Sequence, residues 1–352
     1  MKFDYPSVEF VAEFWKLISQ AKAIIITSHT SPDDDSIGSV LATFWIIKSK
    51  YPKKVVKIIY TGNFDNRYSY FEGYDQVSFL PDIADQVGDA DLMIMLDGSQ
   101  YSRFTKDGEK LKKFKGKTIC IDHHSSPPDN FDLLLLLPNF ISTCQIIYKG
   151  FYEAKEVPKN IAEPMLLGLL GDTGNFTYIR PSDLEIFDMA KKLVESLQVP
   201  IQEFMSKYNV IAPKIFQIVK EYMVNTKFEE LPGWDNYSWT FLSRECTERE
   251  VLSDNNLSEA AHIYMDHYLR TIANCPWGFI ITPKSDGSCS ISFRSLPKHV
   301  NVRSVVETMR IGGGHDRASG GTFKSINGEK VNPLKCYEQL KVWMNSNKQP
   351  TS

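Results

Sequence analysis

Short β-branched and aliphatic runs alternate with helical patterns along the first half of the chain, the order expected of a parallel sheet flanked by helices. Ala23 to Thr27 (AIIIT), Val55 to Tyr60 (VVKIIY), Asp91 to Leu96 (DLMIML) and Thr118 to Ile121 (TICI) read as buried strands. Between the first two, Ile37, Val40, Leu41, Phe44 and Trp45 recur at helical spacing and predict an amphipathic helix with one stripe against that sheet. Ile161 to Leu170 predicts another helix, with Pro164 tolerable only near its first turn. Asp183 to Leu197 and Ile201 to Asn225 read as two more.

The Pro-Gly pair in Phe228 to Trp234 (FEELPGW) breaks this pattern. Beyond it Tyr237 to Leu242 alternates as a strand, and Trp277 to Thr282 with Ser288 to Arg294 predicts a hairpin around Asp286-Gly287, a favoured turn pair. Ile311 to Gly321 is too glycine-dense for a regular element and reads as a loop. The expected fold class is α/β. Residues 1–195 form a domain with a mainly parallel sheet flanked by helices, 196–227 a helical linker, and 228–352 a smaller C-terminal mixed α/β domain.

The 352 residues are 42% hydrophobic and 24% charged, which excludes disorder as the main state. With Lys+Arg 40 against Asp+Glu 43, nothing favours tight, sequence-blind binding to long duplex nucleic acid, while a small anionic substrate is allowed. No apolar run approaches the ~20 residues that span a bilayer. The densest, Leu133 to Leu137, stops at Pro138, so no membrane partner is expected. Asp4 and Glu9 stand where a secretory signal would carry a basic start and an apolar block, which makes the cytoplasm the expected location. The six cysteines form no C-x-x-C pair and read as plain thiols.

The acids and histidines fall at the carboxyl ends of the apolar runs. AIIIT is followed at once by Ser28 to Ser36 (SHTSPDDDS), DLMIML by Asp97, TICI by Asp122-His123-His124, and the helix ending at Leu170 by Gly171-Asp172-Thr173. Strand carboxyl ends line one crevice in an open parallel sheet, the general ligand site of such folds. Singly, each motif has a plainer reading: Asp33 to Ser36 as a helix cap, Asp97 as a loop acid, His123-His124 as a strand end, Asp172 as a turn. Jointly they make a metal centre the economical account.

His29, Asp33, Asp35, Asp97, His123 and Asp172 offer four carboxylates and two imidazoles, enough to balance two divalent cations, with Asp97 shared between them. Such a pair acidifies a water and holds phosphoryl oxygens. Mixed imidazole and carboxylate ligation suits Mn²⁺. Asp122, neighbour to His123 at a strand end, points to the opposite side and is expected to orient a ligand. In the second domain Gly312, Gly313 and Gly314 before His315 read as an anion nest, and Arg294, followed by Ser295, as a phosphate fork.

Taken in order, the segments H-T-S-P-D-D-D-S-I-G-S, Asp97, D-H-H at 122–124, G-D-T-G at 171–174 and the late G-G-G-H resemble the DHH/DHHA1 phosphoesterases, and within them the compact nanoRNase/pAp phosphatase branch. The resemblance covers roughly residues 10 to 340 and implies a DHH domain followed by a DHHA1 domain. It implies one ion on His29, Asp33 and Asp97, and a second on Asp35, Asp97, His123 and Asp172. His124 would face the scissile phosphate or its nucleophile, and Arg294 with His315 would hold the other phosphate. The implied activity is hydrolysis of very short oligoribonucleotides or linear dinucleotides to mononucleotides, and of pAp to AMP. Two positions depart from the family pattern: Asp34 stands where glycine is commoner, and Ile311 where many members have a further glycine. An inorganic pyrophosphatase or short-chain exopolyphosphatase, and a non-catalytic nucleotide-binding module, are the competing readings. Apolar helices of the first domain could also build a homodimer.

Overall fold

Alternate residues of each central strand face opposite ways, and both faces are apolar. Ile24, Ile26, Ile58, Tyr60, Leu92, Ile94 and Leu96 enter one core, while Ile25, Ile59, Met93 and Met95 enter another on the opposite face. Only a sheet covered on both sides satisfies such strands. The computed structural model, which describes residues 1–30, 32–62, 68–88, 90–249, 252–269, 271–325 and 328–351, has that arrangement.

The chain divides into two compact units, Met1–Val210 and Ile211–Ser352, parting within the stretch read as a helical linker. In the first, β1 (Lys2–Phe3), β2 (Ala23–Thr27), β3 (Val55–Thr61), β4 (Val77–Leu80), β5 (Leu92–Leu96), β6 (Lys117–Asp122) and β7 (Leu133–Leu136) form one parallel sheet in the order β1-β7-β6-β5-β2-β3-β4. The larger core lies under α1 (Val8–Gln20), α2 (Asp34–Lys50), α5 (Thr143–Phe151), α6 (Lys159–Thr173), α7 (Glu185–Leu197) and α8 (Ile201–Tyr208); the short α3 (Tyr101–Phe104) and α4 (Gly108–Leu111) cover the other face.

Helices α2 and α6 cross at very short range, and two glycines permit it. A Cβ on Gly38 would lie 2.4 Å from the Pro164 carbonyl, and one on Gly168 would lie 2.6 Å from Asp35 Oδ1. Helix α6 begins at Lys159, so Pro164 sits beyond the first turn, contrary to the sequence expectation. The helix runs through it because its residues on both sides are buried against α2, which offsets the missing hydrogen bond.

The second unit is a mixed sheet, β12-β13-β11-β10-β9-β8, built from β8 (Lys227–Glu229), β9 (Tyr237–Phe241), β10 (Trp277–Pro283), β11 (Cys289–Ser295), β12 (Gly312–His315) and β13 (Ala318–Phe323). Its helices are α9 (Pro213–Val224), α10 (Arg244–Arg249), α11 (Asp254–Tyr264), which passes into a π-helical turn at Met265–Leu269, α12 (Val302–Thr308) and α13 (Pro333–Ser346). The single helix expected over Ile201 to Asn225 is two. Ala212 takes an extended conformation before Pro213, since proline disfavours helical backbone in its predecessor.

The loop expected over Ile311 to Gly321 is also corrected: it is the hairpin β12–β13. Its glycines let two strands and Ile311 crowd together, because a Cβ on Gly312 would lie 1.9 Å from the Gly320 carbonyl and one on Gly321 2.8 Å from Ile311. All six cysteines are buried, and no disulfide is present among the described residues. No helix of the described residues is long and apolar enough to cross a membrane.

Candidate metal centre

Three strands of the parallel sheet, β2, β5 and β6, deliver polar residues at their carboxyl ends. β2 leads to His29, buried at 6% exposure. Asp33 caps α2: its Oδ1 accepts the Ser36 amide at 3.0 Å, while Oδ2 stands 3.5 Å from His29 Nε2. Capping and ligation are therefore compatible, one oxygen serving each. Two residues on, Asp35 is fully buried, and its two oxygens accept the amides of Thr143 (2.6 Å) and Cys144 (2.9 Å) at the start of α5. The free amides of a helix N-terminus are the natural partner for a buried carboxylate.

Asp97 follows β5 with φ 56°, a left-handed conformation rare outside glycine, which aspartate tolerates better than most residues. Its side chain is buried between two histidines. Oδ2 lies 3.2 Å from His29 Nε2 and Oδ1 3.4 Å from His123 Nε2, with Thr143 Oγ1 donating to Oδ1 at 3.3 Å. His123 Nε2 is also 3.2 Å from Asp172 Oδ2 at the last turn of α6, which ends at Gly174 with φ 54°. His124 is tied mainly to Asp122: its Nδ1 donates to Asp122 Oδ1 at 2.7 Å and also stands 3.5 Å from Asp97 Oδ1. Asp122 Oδ1 also accepts the His124 amide, so it fixes the imidazole's direction and leaves Nε2 uncommitted among the described residues.

Three sets of potential ligand atoms each fall within 4.8 Å of one another: His29, Asp33 and Asp97; Asp35, His123 and Asp172; Asp97, His123 and His124. The first two sets hold all six sequence candidates, and Asp97 reaches both through different oxygens.

The electrostatics fit a cation pair. Burial works against a charged His29, but Asp33 and Asp97 more than reverse this and push its pKa up to about 10. Burial likewise opposes a charged His123, and Asp97 with Asp35 and Asp122 lifts it to about 9. Burial and the nearby Asp97 charge push Asp35 up to about 7, and Asp172 is driven well above the carboxylate range by burial and the neighbouring acids. Burial would raise Asp97 too, yet the two histidines hold it well below that range. Protons thus stand in for positive charge in this cluster. Among the described residues, Asp172 Oδ2 and Asp122 Oδ2 are buried without a hydrogen-bond partner, although His123 Nε2 is near the former. Clustered acids and imidazoles with an orphaned carboxylate oxygen are the donor set a divalent ion satisfies.

In the second unit Arg294 pairs across the sheet with Ala318, and Ala318 with His315, so Arg294 and His315 flank one alanine in a single row. Arg294 is half-buried, and its guanidinium's single hydrogen bond among the described residues goes to the Phe293 carbonyl at 3.0 Å. Burial pulls its pKa below the ordinary value, opposed by the charge of Asp266. Its unused donors suit an anion. Ser295 is not in this row: it lies on the buried opposite face, with its amide donating to the Arg317 carbonyl. Of the three glycines, Gly312 and Gly314 are required by the hairpin's crowding, whereas a Cβ on Gly313 would meet nothing within 4 Å.

Residues 23–169 match the family model described as DHH family, N-terminal domain. That stretch is similar to DHH-family N-terminal domains. Over 330 residues it is 25% identical to the bifunctional oligoribonuclease and PAP phosphatase NrnA of Bacillus subtilis (strain 168), covering 89% of this chain and 93% of that protein. Among solved structures it resembles an exopolyphosphatase-related protein from Bacteroides fragilis, with a TM-score of 0.78 and 23% identity over 97% of each chain. It also resembles RecJ from Thermus thermophilus, solved in complex with Mn²⁺, with a TM-score of 0.53 and 10% identity over 97% of this chain and 55% of that one. At these identities the two structures speak for the DHH fold alone.

Thr143 escaped the reading of the sequence. Its signal is slight: Ser142 caps α5 by accepting the Gln145 amide, and a capped helix start at a strand-end crevice is a place for an anionic side chain.

Proposed function

We propose that this protein is a divalent-metal phosphoesterase that hydrolyses very short oligoribonucleotides and linear dinucleotides to mononucleotides, and pAp to AMP. That it is an enzyme, a hydrolase of phosphoester bonds, follows from the DHH-family match and from curated relatives such as NrnA of Bacillus subtilis. The observation that carries the finer reading is Asp97, whose two oxygens each approach a separate cluster of metal-competent side chains.

In this reading His29, Asp33 and Asp97 hold one ion, and Asp35, Asp97, His123 and Asp172 the other, with Mn²⁺ the best match to the donor set. When bound, the pair supplies an acidified water and neutralises charge on the phosphoryl oxygens. The α5 amides and Thr143 keep Asp35 and Asp97 in place. His124, aimed by Asp122, presents Nε2 to the scissile phosphate, where it stabilises oxygen charge or passes a proton. Within the second unit Arg294 and His315, one alanine apart, form a phosphate-binding pair, with Gly313 leaving backbone open to the anion.

The test is product analysis with Mn²⁺ on pApA, pAp and pyrophosphate. Release of AMP from the first two supports the proposal. Preference for pyrophosphate would reassign the enzyme as a pyrophosphatase, and nucleotide binding without turnover would make it a binding module.

A further inference from the structure

The turn that carries Asp33 and Asp35 holds a third acid between them, in a place already crowded with negative charge. Asp34 is not left to face its neighbours. Its Oδ1 accepts the Tyr68 hydroxyl at 2.8 Å and its Oδ2 the Tyr208 hydroxyl at 3.0 Å. Tyr68 is buried at 1% exposure; Tyr208 is the last residue of α8, 174 positions along the chain. The two supports are themselves joined, since Phe204 of α8 packs its ring 5.9 Å from Phe71 and 6.3 Å from Tyr208. On its other side Asp34 is pressed against α6: a Cβ on Gly171, the residue before Asp172, would lie 2.5 Å from Asp34 Cβ.

Asp34 therefore touches both elements that deliver acids to the second cluster, α2 with Asp35 and α6 with Asp172, and is gripped from behind by two phenols. The two hydroxyl donors stabilise the carboxylate and fix the turn at the same time, while its charge still acts on Asp172. We propose that Asp34 is a positioning residue: held by Tyr68 and Tyr208, it sets the ligand turn 33–35 against α6 and so shapes the metal centre without being a ligand. This rests on the ligand set proposed above. It also gives the departure from the family's commoner glycine a purpose in this chain.

The experiment is calorimetric titration of the purified full chain with Mn²⁺, alongside melting temperature, for the wild type, Tyr68→Phe, Tyr208→Phe, the double Phe variant and Asp34→Asn. The Phe changes remove one hydroxyl each and keep the ring. The expected result is unchanged stoichiometry with weaker affinity, about tenfold in the double variant, the lower end for supports of metal ligands. Tyr208→Phe alone, at the less buried support, keeps the test readable if the double variant fails to fold. Phe variants that melt earlier yet bind Mn²⁺ as the wild type does would overturn the proposal and leave the tyrosines a purely structural role. Loss of one ion in Asp34→Asn with undisturbed Phe variants would overturn it by making Asp34 a ligand. A wild type that binds no Mn²⁺ would overturn the metal-centre reading itself, and this proposal with it.

Discussion

Asp97 concentrates the demands of the site in one residue: a left-handed backbone, a buried charge, and a histidine on each carboxylate oxygen. Residues held in sparsely populated backbone regions at functional sites are over-determined by their surroundings. Asp97→Asn preserves size and backbone tolerance but removes the charge that both clusters share, so AMP release from pApA should fall by at least about 10²-fold, the scale of losing one preorganised electrostatic group. Undiminished turnover in that variant would contradict the shared role. Thr143→Val removes the Oγ1 donor to Asp97 and should weaken Mn²⁺ binding, with Thr143→Ser restoring it; equal affinities in a titration of both variants would count against the assignment. The acids and histidines were legible in the sequence because they cluster at the ends of apolar strands and helices, in segments that line one crevice of a parallel sheet. Thr143 and the partners of Asp34 were not, because a threonine after a serine cap is ordinary and because Tyr208 meets Asp34 only through the tertiary fold.

Among the elements, the α2–α6 crossing positions Asp35 and Asp172, and it depends on two absent side chains. Gly168→Ala would drive a methyl to within 2.6 Å of Asp35 Oδ1 and 2.5 Å of Cys144 Sγ, with no flexible end to yield. Overpacking of this kind costs about 1–3 kcal/mol. Urea denaturation should show that loss, together with weakened metal binding, since the displaced atom is a candidate ligand. Gly313→Ala is the contrast: its Cβ has open space, so stability should hold while KM for the nucleotide substrate rises. Unchanged KM would remove Gly313 from the anion site. The central strands and α2 were readable from periodicity. The β12–β13 hairpin was not, because glycine carries no strand propensity and only the packed partner, Gly320 against Gly312, explains the composition. Leu133–Leu136 likewise gave only an apolar run, which short buried strands and helices share.

For the whole molecule, the protons on the clustered acids and imidazoles tie stability and metal binding to pH. Asp35 at about 7 and His29 at about 10 both lie above their ordinary values of 3.8 and 6.5. Their contribution to metal-free stability is complete below those ordinary values and is lost as pH rises through 7 and then 10. Asp97, held low, acts in the opposite sense: its contribution is present above 3.8 and is lost as the solution is acidified through its lowered value. The melting temperature of metal-free protein should therefore decline from about pH 6 to pH 10, and Mn²⁺ affinity should climb over that window as binding expels protons. Titrations in buffers of different ionisation enthalpy would register that release; an affinity independent of pH would contradict the protonation pattern.

The most direct measurement is the number and spacing of bound ions. Saturating the protein with Mn²⁺ and recording its paramagnetic resonance spectrum should show two ions per chain with the magnetic coupling of a carboxylate-bridged pair, and Asp97→Asn should abolish that coupling. One isolated ion per chain, or two uncoupled ions unaffected by the substitution, would contradict a centre built around a shared Asp97.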